Sequence, residues 1–155
     1  MKDKRKETFI FDGLGFPIKL INVPMKKVFD KWCIDINMNK LMLVVLEALI
    51  HKPGALTRDE LSFIRSYLGM KMTEFGKAFG VSHVAVLKWE SGKNRVSPAL
   101  EMCIRLYVLD FLKAKDKDFR ALYKQVSLEH LSKDKQRKIY RLTIDAATED
   151  LKIAL

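Results

Sequence analysis

Few residues in this 155-residue chain are of a type and spacing that could do chemistry. The three histidines, His51, His83 and His130, do not pair at metal-ligand spacing. Cys33 and Cys103 lie 70 positions apart without a Cys-x-x-Cys, so neither a disulfide framework nor a zinc pattern is expected. Both cysteines read as buried or half-buried thiols. No phosphate-cradling glycine loop and no nucleophile beside a base is visible, so no enzyme, cofactor or metal is expected. What remains is the segment from Lys71 to Arg95, where Lys71, Lys77, Lys88, Lys93 and Arg95 outnumber Glu74 and Glu90. Within it, His83, Val84, Leu87, Lys88 and Ser91 share one open side of a short helical stretch whose other side holds Val86 and Trp89. Hydrogen-bond donors and apolar groups on one helix face, in a basic setting, suit contact with a polyanion. The net charge of +10 and the pI near 9.6 favour nucleic acid or an anionic membrane surface.

The elements that must position these residues are marked by caps and breakers. Thr57-Arg-Asp-Glu60 is a capping box, with Leu56 and Leu61 as its hydrophobic staple, and Gly69 stops the helix that follows. Met72–Phe79 and His83–Ser91 read as two short helices joined by the Gly80-Val-Ser82 turn, with Ser82 as N-cap and Gly92 as terminator. Two helices crossing this closely need a small residue between them, which Gly76 supplies. Gly80 gives the turn its positive φ, and Val81 plugs the gap. Trp89, Phe75 and Phe79 read as core, and Glu90 as a local partner for a basic group. Ser97-Pro98 opens a longer helix to about Phe111.

The stretch from Gly69 to Lys93, with its Gly-Val-Ser turn and Trp-Glu-Ser-Gly-Lys ending, resembles the Cro/lambda-repressor (XRE) type of helix-turn-helix. The resemblance runs from about Leu56 to Leu109. It implies DNA contact by Lys71, Ser82, His83, Val84, Leu87, Lys88, Lys93, Asn94 and Arg95. His83, Val84, Leu87 and Lys88 would face base edges, and Lys93, Asn94 and Arg95 phosphates. Where the family often has Ser-Gln this chain has Lys71-Met72, so Lys71 or backbone amides would have to meet the phosphate. Where the family usually has Ala it has Gly76. A looser similarity, carried by the module before Leu-Thr-x-x-Glu-x-x-x-Ile-Arg, is to MqsA/HigA-type antitoxins of bacterial toxin–antitoxin pairs. Their usual two Cys-x-x-Cys motifs are missing here; the corresponding module holds only Cys33.

The flanks are expected as follows. Thr8–Phe11, Ile18–Val23 and Trp32–Ile36 read as a small antiparallel β-unit, with a loop at Pro24-Met-Lys-Lys27. So small a sheet must pack on a helix, and Leu41–Ile50, capped by Asn37 or Asn39, is the candidate. Lys2–Lys6 reads as a solvated, disordered tail, the alternative being an arm that reaches DNA. Asp116–Val126 reads as an amphipathic helix with Phe119, Leu122, Tyr123 and Val126 on one face. Ser132 onward could be helix, and Lys138–Asp145 helix or strand. The expected fold is mostly α: a five-helix Cro/lambda-repressor-like domain (53–112) between a β-module with its helix (1–52) and a mainly helical C-terminal extension (113–155). The expected function is a dimeric, sequence-specific repressor on a pseudo-palindromic double-stranded operator. It would act as the antitoxin of a type II pair, binding its toxin through the β-module; the alternative is a stand-alone regulator with dimerising or ligand-sensing flanks. The charged N-terminus is no signal peptide, and the apolar run Leu41–Ile50 is well short of the ~18 residues of a membrane span. A cytoplasmic protein without a membrane partner is therefore expected.

Overall fold

The computed structural model describes residues 5–126, 131, 141–148 and 150–154. The chain divides into two compact units, residues 1–48 with 141–155, and residues 49–140.

The first unit is a five-stranded mixed sheet with one helix. Strands β1 (Arg5–Phe11), β2 (Ile18–Val28) and β3 (Lys31–Ile34) are followed by α1 (Met38–Ile50), whose end crosses into the second unit. The sheet is completed by β4 (Thr143–Asp145) and β5 (Lys152–Ala154). β2 is the spine. β1 runs antiparallel along one side of it; the other side is shared by β4, parallel to Lys19–Ile21, and β3, antiparallel to Met25–Val28. β5 pairs antiparallel with β4 at the far edge. A bulge at Asn22, with φ of 54°, swaps the strand's inward positions, so that Ile18 and Leu20 are succeeded by Val23. Those three residues and Ile144 are buried, as are Leu41, Val45 and Ala48 at i, i+4, i+7 on α1. The Asn37 side chain caps α1 by accepting from the amides of Asn39 and Lys40 at 3.0 and 3.2 Å.

The second unit holds α2 (Arg58–Tyr67), α3 (Met72–Ala78), α4 (His83–Glu90), α5 (Pro98–Phe111) and α6 (Asp116–Gln125). Leu61, Ile64, Phe75, Val86, Ile104, Val108 and Leu122 form its core. Four charged side chains are buried with them. The guanidinium of Arg105 donates to the carbonyls of Ile50, Lys52 and Gly54 at 2.6 to 2.8 Å and lies 3.5 Å from Glu101. Glu101 accepts from the amide of Leu56, and Lys52 pairs with Glu60 at 2.8 Å. Burial pushes the Glu101 carboxyl above, and the Arg105 guanidinium below, its ordinary range. The loop between α1 and α2 is thus wrapped on a cation, which satisfies carbonyls that no helix or sheet bonds.

Several expectations are corrected. The mostly α, five-helix reading gives way to an α/β fold: among the described residues there are six helices and a five-stranded mixed sheet. Between residues 53 and 112 there are four helices, not five. Among its described residues the extension is not helical throughout, since β4 and β5 return to the sheet. β4 pairs in parallel with a strand more than a hundred residues earlier, and local periodicity carries no trace of so distant a pairing. Lys138–Tyr140, and any helix from Ser132 to Tyr140, lie outside the described residues. Pro24 does not open a loop; β2 runs through it, its carbonyl accepting from Asp35 at 2.8 Å where β3 has ended, so the missing N–H costs the ladder little. Arg5 and Lys6 belong to β1 rather than to a tail. Both cysteines are exposed, Cys33 on the sheet and Cys103 on α5. Tyr123, 60% exposed, lies outside the core that Leu122 and Val126 join.

Candidate nucleic-acid interface

The candidate interface is α4 with the turns on either side of it. α3 and α4 meet across Gly80-Val-Ser82 because nothing protrudes from Gly76. A Cβ there would lie 2.6 Å from the Val81 carbonyl oxygen and 3.2 Å from Ser82. The gap is closed from the other side by the Val81 amide, which donates to the Gly76 carbonyl at 2.9 Å. Gly80 takes φ of 70°, which lets the chain reverse between the helices. Ser82 then starts α4, its hydroxyl accepting from the Ala85 amide at 3.2 Å.

Val86 and Trp89 anchor α4 inward. Phe75 and Phe79 stack edge to face at 4.9 Å, and Phe79 meets Tyr107 of α5 at 5.4 Å. The far end of α4 is held by Glu90, which accepts both arms of a fork from Arg65 on α2, Nε at 2.8 Å and Nη2 at 2.9 Å. The third nitrogen, Nη1, donates to the Met70 carbonyl at 2.9 Å, tying the α2–α3 turn to the same pair. The hydrogen bonds to Glu90 hold the Arg65 guanidinium above its ordinary pKa. Glu90 is therefore the local partner of a basic group that its position suggested. Arg65 entered the sequence reading only as the last residue of the Leu-Thr-x-x-Glu-x-x-x-Ile-Arg pattern, with no role; the signal for one was its place as the basic residue in the last turn of an amphipathic helix.

The outward face of α4 carries His83, Val84, Leu87 and Lys88, all exposed, with Val84 at 44% and Leu87 at 50%. Among the described residues, no hydrogen bond or ion pair engages the side chain of His83 or Lys88. Ser91, Lys93, Asn94 and Arg95 follow, also exposed. The Asn94 amide folds back onto the Lys88 carbonyl at 3.2 Å, which keeps this segment beside the helix end. Arg58, which sequence reasoning read only as the first residue of α2, donates to the Ser91 carbonyl at 3.3 Å and adds a half-exposed cation there.

Lys71 stands apart from this group, at the start of α3. Its own amide donates to the Glu74 carboxylate at 3.2 Å. That carboxylate takes the first amide and sets a negative charge at the start of α3, which disfavours a phosphate there and leaves the Lys71 ammonium as the better-suited contact. Ser82 is engaged as a cap, with its hydroxyl hydrogen still available. The structure thus brings eight of the nine expected residues, all of them exposed, into the one stretch from Ser82 to Arg95, with Lys71 at the neighbouring helix start.

Among the described residues, no group of three His, Cys, Asp or Glu side chains could hold a metal ion, and no helix is long and apolar enough to cross a membrane. Compared with known proteins, the chain matches no family model, no curated protein and no solved structure.

Proposed function

We propose that the protein is a sequence-specific DNA-binding regulator that reads the major groove with α4. The observation that carries this is the two-sidedness of α4. Val86, Trp89 and Glu90 fix it to α2 and α3, while His83, Val84, Leu87 and Lys88 face solvent with no internal partner to justify their positions. A helix of about 10–12 Å diameter suits a major groove about 12 Å wide. Lys88 can donate to guanine O6 or N7, and Val84 and Leu87 can meet thymine methyls. Lys93, Asn94 and Arg95, just past the helix, and Arg58 of α2, whose guanidinium reaches the Ser91 carbonyl, would meet phosphates. The resemblance of residues 69–93 to the Cro/lambda-repressor type of helix-turn-helix supports the same reading, and with it binding as a dimer to half-sites about 34 Å apart.

Enrichment of random duplexes on the full chain tests this. The expected result is a defined consensus. Lys88→Ala should relax one position in it at a cost of about 1–3 kcal/mol. If no consensus emerges, or if the double change of His83 and Lys88 to Ala leaves it intact, α4 is not the reading head. Toxin neutralisation draws support only from the presence of a separate sheet unit. Co-expression with the neighbouring small reading frame tests it: a product that is neither toxic alone nor co-purified removes the antitoxin role and leaves the regulator.

A further inference from the structure

One face of the sheet is buried around Ile18, Leu20, Val23 and Ile144, and the other is exposed and basic. The register assigns its members. Lys6 on β1 stands opposite Pro24, and Lys31 on β3 stands opposite Val28. Lys26 on β2 lies between Pro24 and Val28, two residues from each, so Lys6, Lys26 and Lys31 form a diagonal row across three strands. Diagonal neighbours on a sheet are about 7–8 Å apart, comparable to the interval between successive phosphates of one nucleic-acid strand. The facing is checked independently by Arg5, which sits over the Trp32 ring at 5.3 Å and so belongs to the opposite face. All three lysines of the row are exposed, and Lys19 extends the same face along β2.

Two aspartates share this face. Asp145 is turned to structural use, accepting from the Asn22 side chain at 3.3 Å and the Ala147 amide at 2.9 Å. Asp35 lies 3.3 Å from Lys26, both half exposed. The exposed large apolar side chains of the strands here, Ile10 and Val28, are aliphatic, and Phe29, 97% exposed in the turn between β2 and β3, is a single ring at the edge rather than a platform for successive stacked bases.

We propose that this exposed sheet face is a second nucleic-acid-binding surface, contacting the phosphates of duplex DNA through Lys6, Lys26 and Lys31 without reading sequence. A row of point charges at phosphate spacing is complementary to a backbone, and one ring, Phe29, falls short of the series of aromatics on which single strands stack. The proposal does not depend on α4 reading bases.

The test is the salt dependence of binding of the full chain to a random-sequence duplex. Each phosphate contact contributes about 0.9 to the slope of log K against log salt. The triple change Lys6→Gln, Lys26→Gln, Lys31→Gln should lower that slope by about 2–3 and weaken low-salt binding at least tenfold. The corresponding triple change to Arg should retain binding. Asp35→Asn, which removes the competing carboxylate, should strengthen it, an effect no loss of structure would produce. Any consensus enriched by the full chain should be unchanged in the glutamine triple. Equal slopes for the wild type and the glutamine triple, with both shown folded by circular dichroism, overturn the proposal. Loss of sedimentation with phosphatidylserine vesicles at an unchanged DNA slope would make the face a membrane surface and also overturn it.

Discussion

Gly76→Ala is the substitution on which the geometry of the candidate interface is most exposed to refutation. In an isolated helix it would gain about 1 kcal/mol from propensity. Here the added Cβ would stand 2.6 Å from the Val81 carbonyl oxygen, with Ser82 carbon and oxygen at 3.2 Å. All three are backbone atoms, so no side chain can rotate away. The turn must withdraw by about 0.4 Å before the first contact reaches even 3.0 Å. That movement pulls on the Val81–Gly76 hydrogen bond at 2.9 Å and on Ser82, whose hydroxyl caps α4. Overpacking of this kind costs about 1–3 kcal/mol. Set against the propensity gain, the variant should be less stable by about 1 kcal/mol, and its melting temperature should fall by several degrees. Urea and thermal melts of both proteins measure this directly. The displaced cap should also move α4, so discrimination between an enriched duplex and random DNA should fall along with stability. An alanine variant as stable as the wild type, or more so, would mean that the α3–α4 approach is looser than described, and the close-crossing argument would fail.

Two further outcomes follow from the charged side chains. Arg65→Lys keeps the charge but loses the fork to Glu90 and the bond to Met70, and should destabilise by about 1–2 kcal/mol in denaturant melts; an unchanged midpoint would show that charge alone holds α4. Burial raises the Glu101 pKa above its ordinary 4.5, so the folded state holds that proton more tightly than the unfolded chain does. The stability of the wild type minus that of Glu101→Gln should therefore fall as pH rises from about 4.5 through the raised value, then level off; a difference that grows with pH would reverse the assignment.

The helices around α4 were legible because their signals are local. The Thr57–Glu60 capping box closes with bonds of 3.2 and 2.9 Å, Ser82 and Ser97 cap their helices, and Gly69, Gly80 and Gly92 take positive φ where helices end. Each such signal spans at most four residues of chain. The first three strands were legible for the same reason, though β2 was cut short because Pro24 was weighed as a breaker without knowing where β3 would end. What was hidden depends on distant partners. Arg105 is one of three charged residues in the largely apolar α5, and only the loop from Ile50 to Gly54 explains why it is fully buried. β4 is three residues long and has meaning only beside β2. The fork between Arg65 and Glu90 joins two residues 25 positions apart, whose pairing requires α2 and α4 to be already packed.

The distribution of charge gives the two proposed surfaces different work. Residues 53–110, which hold α4, carry eight basic and six acidic side chains, whereas residues 1–52 carry ten and six and residues 111–155 eleven and seven. A helix that reads base edges needs donors and methyl contacts more than net charge, and two of the four side chains on the outward face of α4 are apolar. Affinity for a duplex comes largely from phosphate neutralisation, which is indifferent to sequence. Because the lysine row and the outward face of α4 share no residue, affinity and specificity can be adjusted through separate substitutions. The lysine row should then govern the salt at which the protein binds, and α4 the sequence to which it binds.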